Sequence, residues 1–250
     1  MHTSLHNRGV QSVFERVSKK YPDLSLMLCS SGGCRTDYES LKHFTEFWCS
    51  DMTCPIERLY IQWGVSQFYP VKSMCAHVTS YNRNTSVKFR TDVASMCKLG
   101  FDIGLKDLTE SEIFFCRSAV DNWNRLKPVI LEGDQYRLVS PYECNHMAVA
   151  YISKNRSKAV LFAYDIYPRF HESLHNVKMQ GLDPKKRYLV REINLMSGAQ
   201  SSLRENGMTY SGDYLMKVGL NAFSENKLSS KVIEMTEVVE DMKGVVSRTL

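Results

Sequence analysis

Long apolar runs are missing from the sequence, and so is any strong compositional bias. No stretch approaches the roughly 20 consecutive apolar residues that a membrane-spanning helix needs. Thirteen glycines and seven prolines in 250 residues, without internal repeats, exclude collagen-like and low-complexity chains. The net charge is only +5, and the longest basic run is Lys185-Lys186-Arg187. Because a nucleic-acid interface needs clustered basic residues, we expect a globular protein with neither a membrane nor a nucleic-acid partner.

The N-terminus and the cysteines bear on the cellular compartment. Residues 1–9 are polar and lack the apolar stretch of a signal peptide, so a cytoplasmic location is expected. Eight cysteines are present, including the spacings Cys29-x4-Cys34 and Cys49-x4-Cys54. Zinc sites usually place two to four residues between paired ligands in a compact arrangement, whereas both of these pairs lie at the ends of predicted strands. They are therefore read as reduced thiols, with a zinc site as the alternative.

The first half, residues 1–133, alternates helical and strand patterns. Apolar residues at helical spacing predict helices near 10–17, 55–63, 87–98 and 109–126, the last opened by a Thr109–Glu112 capping box and closed by Pro128 and Gly133. Short apolar runs predict strands at 24–29, 47–50, 74–78 and 99–103, and Asp37 opens a further short helix. Four such units imply a parallel sheet, either open or part of a barrel.

The second half, residues 134–238, has a different period. Six short runs separated by turn residues predict strands at 136–139, 147–152, 159–166, 188–195, 214–218 and 231–236. No helical pattern is visible between them. The pattern favours an antiparallel sheet or small sandwich. Residues 239–250 form a charged tail.

Candidate functional residues follow the first three strands, where parallel α/β folds place their sites. After the first strand, Gly32 and Gly33 allow close approach of the backbone to a ligand, and Arg35 and Asp37 offer polar contacts. The alternative is an ordinary turn in which Asp37 caps the following helix.

Two more candidates lie after the second strand and on the third. Asp51 follows the aromatic Phe47-Trp48, and a carboxylate in apolar surroundings suits a general acid because its pKa rises. His77 lies within a strand and could be a ligand. The alternatives are a turn aspartate and a structural, hydrogen-bonded histidine.

Several motifs carry a resemblance to the α-galactosidases of glycoside hydrolase family 36. The family's Cys-x-x-Gly-Gly-x-Arg-x-Asp motif matches Cys29, Gly32, Gly33, Arg35 and Asp37. Its Trp-x-Ser-Asp-Asn-Thr-Asp-Pro-x-Glu-Arg-Leu motif matches Trp48, Ser50, Asp51, Thr53, Pro55, Glu57, Arg58 and Leu59. Further matches are Ala76-His77-Val78-Thr79, Leu99-Gly100-Phe101-Asp102 and Gly133-Asp134-x-Tyr136-Arg137-Leu138. These segments follow the family's order over about residues 10–236.

The resemblance implies an architecture of two parts. Residues 1–133 look like the second half of a (β/α)8 TIM barrel, strands five to eight, followed by an antiparallel β-sandwich domain at 134–238. The family's nucleophile lies on a Lys-Trp-Asp strand upstream of the matched region, and the sequence contains no Lys-Trp-Asp.

The implied activity is retaining hydrolysis of terminal α-galactosides, such as raffinose-type oligosaccharides. Family members use two carboxylates, and Asp51 matches the acid/base. Cys29, Gly32 and Arg35 match positions that bind galactose hydroxyls. The mechanism needs no metal or organic cofactor. Without the nucleophile, the chain alone is expected to be inactive.

Three departures from the family pattern fall in these loops. Met52 replaces an asparagine beside the acid/base and removes an amide. Cys54 replaces an aspartate that would cap the helix at Pro55, at a cost of about 1 kcal/mol. Cys34 replaces a glycine and would be strained if the position needs a positive φ.

The sequence is also compatible with two other functions. One is a catalytically inactive galactoside-binding remnant, and the other is a cysteine-based metal or nucleic-acid module. Because half a barrel leaves strand edges uncovered, we also expect a homo-oligomer or an upstream partner fragment.

Overall fold

The computed structural model describes residues 2–34, 36–81, 84–172 and 175–239, without the side chains of residues 2–6. No helix in these ranges is both long enough and apolar enough to cross a membrane.

The described residues of the first half form four α-helices, three short 3-10 helices and a four-stranded parallel sheet. Its elements are α1 (His2–Lys20), β1 (Met27–Leu28), β2 (Glu46–Trp48), α2 (Pro55–Val65), β3 (Met74–Thr79), α3 (Val87–Ala94), β4 (Lys98–Asp102) and α4 (Glu110–Glu132). The strands lie in the order β1-β2-β3-β4, each parallel to the next. The ends of the strands that carry the candidate residues therefore meet at one edge of the sheet.

The second half contains a six-stranded antiparallel sheet and one short helix. Its elements are β5 (Asp134–Val139), β6 (His146–Ile152), β7 (Lys158–Asp165), β8 (Arg187–Ile193), β9 (Thr209–Ser211), α5 (Gly212–Lys217) and β10 (Ser229–Glu237). The order is β5-β6-β7-β10-β8-β9, so the last strand lies between β7 and β8. A partial barrel followed by a β-domain confirms the predicted fold class.

The strand predicted at 214–218 is wrong, because this segment is the helix α5. Ser211 ends β9 and its hydroxyl accepts a hydrogen bond from the Tyr214 backbone N–H at 3.2 Å. Ser211-Gly212-Asp213 is thus a helix N-terminus rather than a turn between strands. An exposed Asp213–Lys217 ion pair at 2.8 Å supports the single turn.

Helix α4 begins at the predicted capping box but continues six residues beyond the predicted end. Thr109 and Glu112 exchange both capping hydrogen bonds. The helix then passes through Pro128, although proline removes one backbone hydrogen bond. Burial of the apolar residues 129–131 after the proline offsets that loss. The helix ends where a Cβ on Gly133 would lie 2.5 Å from the Ile152 carbonyl oxygen.

The two halves share one hydrophobic core and a buried polar network. Phe89 of α3 packs edge-on against Tyr164 of β7, with ring centroids 5.9 Å apart. The fully buried Asp92 of α3 accepts hydrogen bonds from Lys88 at 2.5 Å, Ser230 at 2.7 Å and Asn194 at 2.9 Å. Because Ser230 belongs to β10 and Asn194 follows β8, Asp92 ties the barrel half to the β-domain.

Candidate active site

The loop after β1 contains three consecutive residues with left-handed backbone. Ser31, Gly32 and Gly33 have φ angles of 47°, 67° and 91°. Cys34 is not among the residues with positive φ, so the predicted strain at Cys34 does not arise. Serine at position 31, not cysteine at 34, is the residue with a side chain that adopts this unfavourable conformation.

This glycine loop lies directly against the loop after β2. A Cβ on Gly32 would be 2.7 Å from the Asp51 backbone nitrogen and 2.9 Å from the Ser50 Cα. A Cβ on Gly33 would be 3.1 Å from the Cys49 carbonyl oxygen. The absence of side chains at both glycines thus lets two strand-end loops approach each other, backbone to backbone.

Asp51, whose backbone takes part in this contact, is exposed. The described residues therefore do not provide the apolar enclosure that the sequence led us to expect around a general acid. The neighbouring Met52 donates its backbone N–H to the Ser50 hydroxyl at 3.1 Å, which closes a tight turn at Asp51. Met52 itself is exposed and offers no amide to the carboxylate.

Of the other predicted site residues, the structure describes Cys29 and Asp37. Cys29 immediately follows β1 and is exposed at the start of the glycine loop. Arg35 lies outside the described residues. Asp37 accepts a hydrogen bond from the Ser40 backbone N–H at 2.7 Å, which is the capping role considered as its alternative.

Trp48, at the end of β2, is close to the side chains of Arg58 and His77. The Arg58 guanidinium carbon is 4.6 Å from the centre of the Trp48 ring system. The His77 ring centroid, from β3, is also 4.6 Å from that of Trp48. Burial is the main cause that lowers the pKa of His77, so its imidazole is neutral at neutral pH.

Gly100 of β4 leaves space for the His77 ring beside Trp48. A Cβ on Gly100 would lie 2.4 Å from the His77 Cδ2 and 2.7 Å from its Nε2. Gly100 is paired in register with His77 across the two parallel strands. Trp48, His77 and Gly100 therefore fit together across three neighbouring strands.

Arg58 belongs to the matched motif that starts at Trp48, but it was not among the predicted site residues. It is 3% exposed, and its guanidinium faces the buried Cys49 thiol as well as the Trp48 ring. Burial lowers its pKa. The signal in the sequence was its place in the matched motif, three residues after the helix-starting Pro55.

The cysteine spacings do not create a metal site in the described part of the chain. Cys29 and Cys34 are exposed, whereas Cys49 and Cys54 are buried. No three His, Cys, Asp or Glu side chains come together there in a way that would hold a metal ion. Pro55 starts α2 as predicted, and the Cys54 side chain does not cap that helix.

Comparisons with known proteins agree across both halves. The Melibiase family model matches residues 2–133, and the model for the glycosyl hydrolase family 36 C-terminal domain matches residues 146–235. A probable α-galactosidase C from Aspergillus terreus is 34% identical over 231 residues, which cover 90% of this chain and 29% of that protein. α-Galactosidase 2 from Hypocrea jecorina is 34% identical over 218 residues, or 84% of this chain and 29% of the relative.

Solved structures show the same relationship. The galactosidase domain of an α-galactosidase–sucrose kinase superposes with a TM-score of 0.82 at 29% identity, over 92% of this chain and 31% of that one. The α-galactosidase AgaB from Geobacillus stearothermophilus superposes with a TM-score of 0.82 at 28% identity and the same coverage. The chain therefore spans just under a third of these proteins, and it belongs to the glycoside hydrolase family 36 α-galactosidases.

Proposed function

We propose that this chain contributes the acid/base carboxylate and part of the galactose site to a retaining α-galactosidase. The observation that carries the proposal is the contact between Gly32 and the Ser50–Asp51 backbone, which couples a candidate sugar-binding loop to the candidate acid. Related structures support the substrate class, since variants of AgaA from Geobacillus stearothermophilus are known in complex with raffinose and with stachyose.

In this proposal Asp51 acts twice. It first donates a proton to the glycosidic oxygen as the aglycone leaves, and it then takes a proton from the water that attacks the glycosyl-enzyme. Exposure of Asp51 at a strand end suits this role because both the aglycone and the water must reach it. Cys29, Gly32 and Arg35 would bind galactose hydroxyls, with the bare Gly32 allowing the sugar to approach the backbone.

The nucleophile is a second carboxylate, about 5–5.5 Å from the first in retaining enzymes. No Lys-Trp-Asp occurs in these 250 residues. A segment that carries this motif would complete the reaction. It would also pair with β1 and β4, each of which has one neighbouring strand among the described residues.

The test measures aryl α-galactoside hydrolysis by the purified chain, alone and mixed with a family segment that bears Lys-Trp-Asp. We expect turnover only in the mixture. In that mixture, Asp51→Asn should reduce kcat/KM by about 100-fold or more for a poor leaving group, and much less for dinitrophenolate, which needs no protonation. An equal loss on both substrates would refute the acid/base role.

The alternative is a catalytically inactive galactoside-binding remnant, favoured by Met52 where the family has asparagine beside the acid. This function predicts galactose binding that Asp51→Ala leaves unchanged, together with no turnover in the mixture. Turnover by the chain alone that Asp51→Asn abolishes would contradict both readings and indicate a nucleophile within this chain, with Asp37 and Asp102 as the candidates.

A further inference from the structure

We propose that the β-domain carries a separate binding site for a neutral oligosaccharide, in a cleft beside Phe170. This cleft, called here the Phe170 cleft, has a volume of about 680 Å³. It is formed by the loop between β5 and β6, the segment after β7 and one residue of α2. Its lining residues are Tyr60, Pro141, Tyr142, Glu143, Cys144, Asn145, Arg169, Phe170, His171 and Glu172. None of them belongs to the candidate active site.

Aromatic rings line the cleft at high exposure. Phe170 is 88% exposed and Tyr142 is 67% exposed, values that are unusual for large apolar side chains. Tyr142 is held edge-on against Tyr60 of α2, with ring centroids 5.2 Å apart. The negative face of such a ring attracts the slightly positive C–H groups on one face of a pyranose.

Polar groups of both signs surround these rings, and this mixture selects the ligand class. Glu143 and Glu172 disfavour an anion, and Arg169 disfavours a cation. An apolar segment would bury these charges without partners, which is costly. Sugar hydroxyls both donate and accept hydrogen bonds, so they can pair with the carboxylates, the Asn145 amide and the guanidinium together.

The carboxylate of Glu172 is held in place before any ligand arrives. It accepts hydrogen bonds from the Arg169 backbone N–H at 2.8 Å and from the Asn145 amide at 3.2 Å. The bond from Arg169 is the main cause that lowers the pKa of Glu172, so the carboxylate is ionised at neutral pH. A preorganised acceptor costs less entropy on binding than a mobile one.

A buried histidine stands behind this carboxylate. His146 is 4% exposed, and its Nε2, which has no hydrogen-bond partner in the described structure, points toward Glu172 at 3.7 Å. Its Nδ1 is 2.9 Å from Asp165, which also accepts hydrogen bonds from Ser224 and Ser229. His146 does not line the cleft, but its imidazole supports the lining carboxylate of Glu172 from the protein interior.

A second hollow on the other side of Phe170 indicates a ligand of more than one sugar unit. It has a volume of about 470 Å³ and shares Arg169 and Phe170 with the first. Tyr167, 49% exposed, lines it. Two hollows that share one exposed ring fit two neighbouring residues of an oligosaccharide.

The test follows backbone amide NMR shifts of the full 250-residue chain during titration with stachyose, a neutral tetrasaccharide. We expect saturable shifts at residues 142–145 and 169–172. Phe170→Ala and Tyr142→Ala should each weaken the fitted affinity at these amides by about fivefold, the value of one aromatic contact. Phe170 is so exposed that its removal leaves the fold intact. Phe68→Ala, at a 71% exposed phenylalanine outside the cleft, is the matched control and should bind as wild type.

The location of the shifts separates this site from the proposed function. Shifts at residues 29–34 and 49–52 alone would overturn the Phe170 cleft and leave the galactose site standing. Shifts at the cleft alone would support the Phe170 cleft and count against the galactose site. Unchanged affinity in both aromatic variants would overturn the proposal. Sedimentation velocity provides a second check: if the chain associates in a concentration-dependent way and Phe170→Ala removes that association, the patch is an interface between copies of the chain and the proposal is wrong.

Discussion

The Cβ that Gly32 lacks would lie 2.7 Å from the backbone nitrogen of Asp51. This distance is shorter than real Cβ contacts, so any side chain at position 32 must push the two loops apart. The position of the candidate acid relative to the glycine loop therefore depends on a single missing methyl group.

Replacement of Gly32 by alanine tests this contact, and Gly198 provides the control. Both glycines have positive φ, 67° and 76°, but a Cβ on Gly198 meets nothing within 4 Å. Gly198→Ala should lower the free energy of unfolding by about 1 kcal/mol, the cost of left-handed backbone. Gly32→Ala adds a collision with backbone and should cost about 2–4 kcal/mol in urea unfolding. Equal losses would show that the loops are not in contact.

Gly100→Ala should displace the His77 ring, because the new Cβ would be 2.4 Å from its Cδ2. We expect a loss of about 1–3 kcal/mol in the free energy of unfolding. His77→Ala should remove most of that penalty, so a double-mutant cycle should give a coupling of about 1 kcal/mol or more. If the effects of the two substitutions were additive, the cost of Gly100→Ala would not come from a collision with His77.

Asp92→Asn should weaken the connection between the barrel half and the β-domain. Asp92 is fully buried and holds Lys88, Ser230 and Asn194, so its neutralisation leaves a largely buried ammonium without its counter-ion. The expected loss is about 3–5 kcal/mol. The matched control is Asp213→Asn, which breaks an exposed pair with Lys217 and should cost less than about 1 kcal/mol. If the two variants lost comparable free energy of unfolding, measured by heat or urea, Asp92 would not hold the two halves together.

The cysteines should differ sharply in their reaction with iodoacetamide. Burial raises the pKa of Cys49 to about 11 and that of Cys75 to about 12. At pH 8 only about one Cys49 side chain in a thousand is a thiolate, the reactive form. Cys29 and Cys34 are exposed and should be alkylated first. Peptide mapping over time measures the order, and early modification of Cys49 or Cys75 would show that the sheet opens.

Patterns of apolar residues were sufficient to locate most of the elements. The period of 3.6 located α2, α3 and α4, and the Thr109–Glu112 capping box marked the start of α4. The same reasoning failed at residues 214–218, because five residues are too few to distinguish a helical turn from a strand. It also ended α4 too early, since the burial of residues 129–131 against the rest of the protein outweighs the local cost of Pro128.

The sequence by itself determined the family, through motifs in order, and it identified Cys29, Gly32, Arg35 and Asp51 as candidates. It also determined the change from parallel to antiparallel structure, because hydrophobic period is a local property. Only the tertiary structure decided that Gly32 touches Asp51, that Arg58 is buried over Trp48, and that Gly100 accommodates His77. Each of these contacts joins residues on different strands or helices, and the distance between such residues depends on packing that no local pattern encodes.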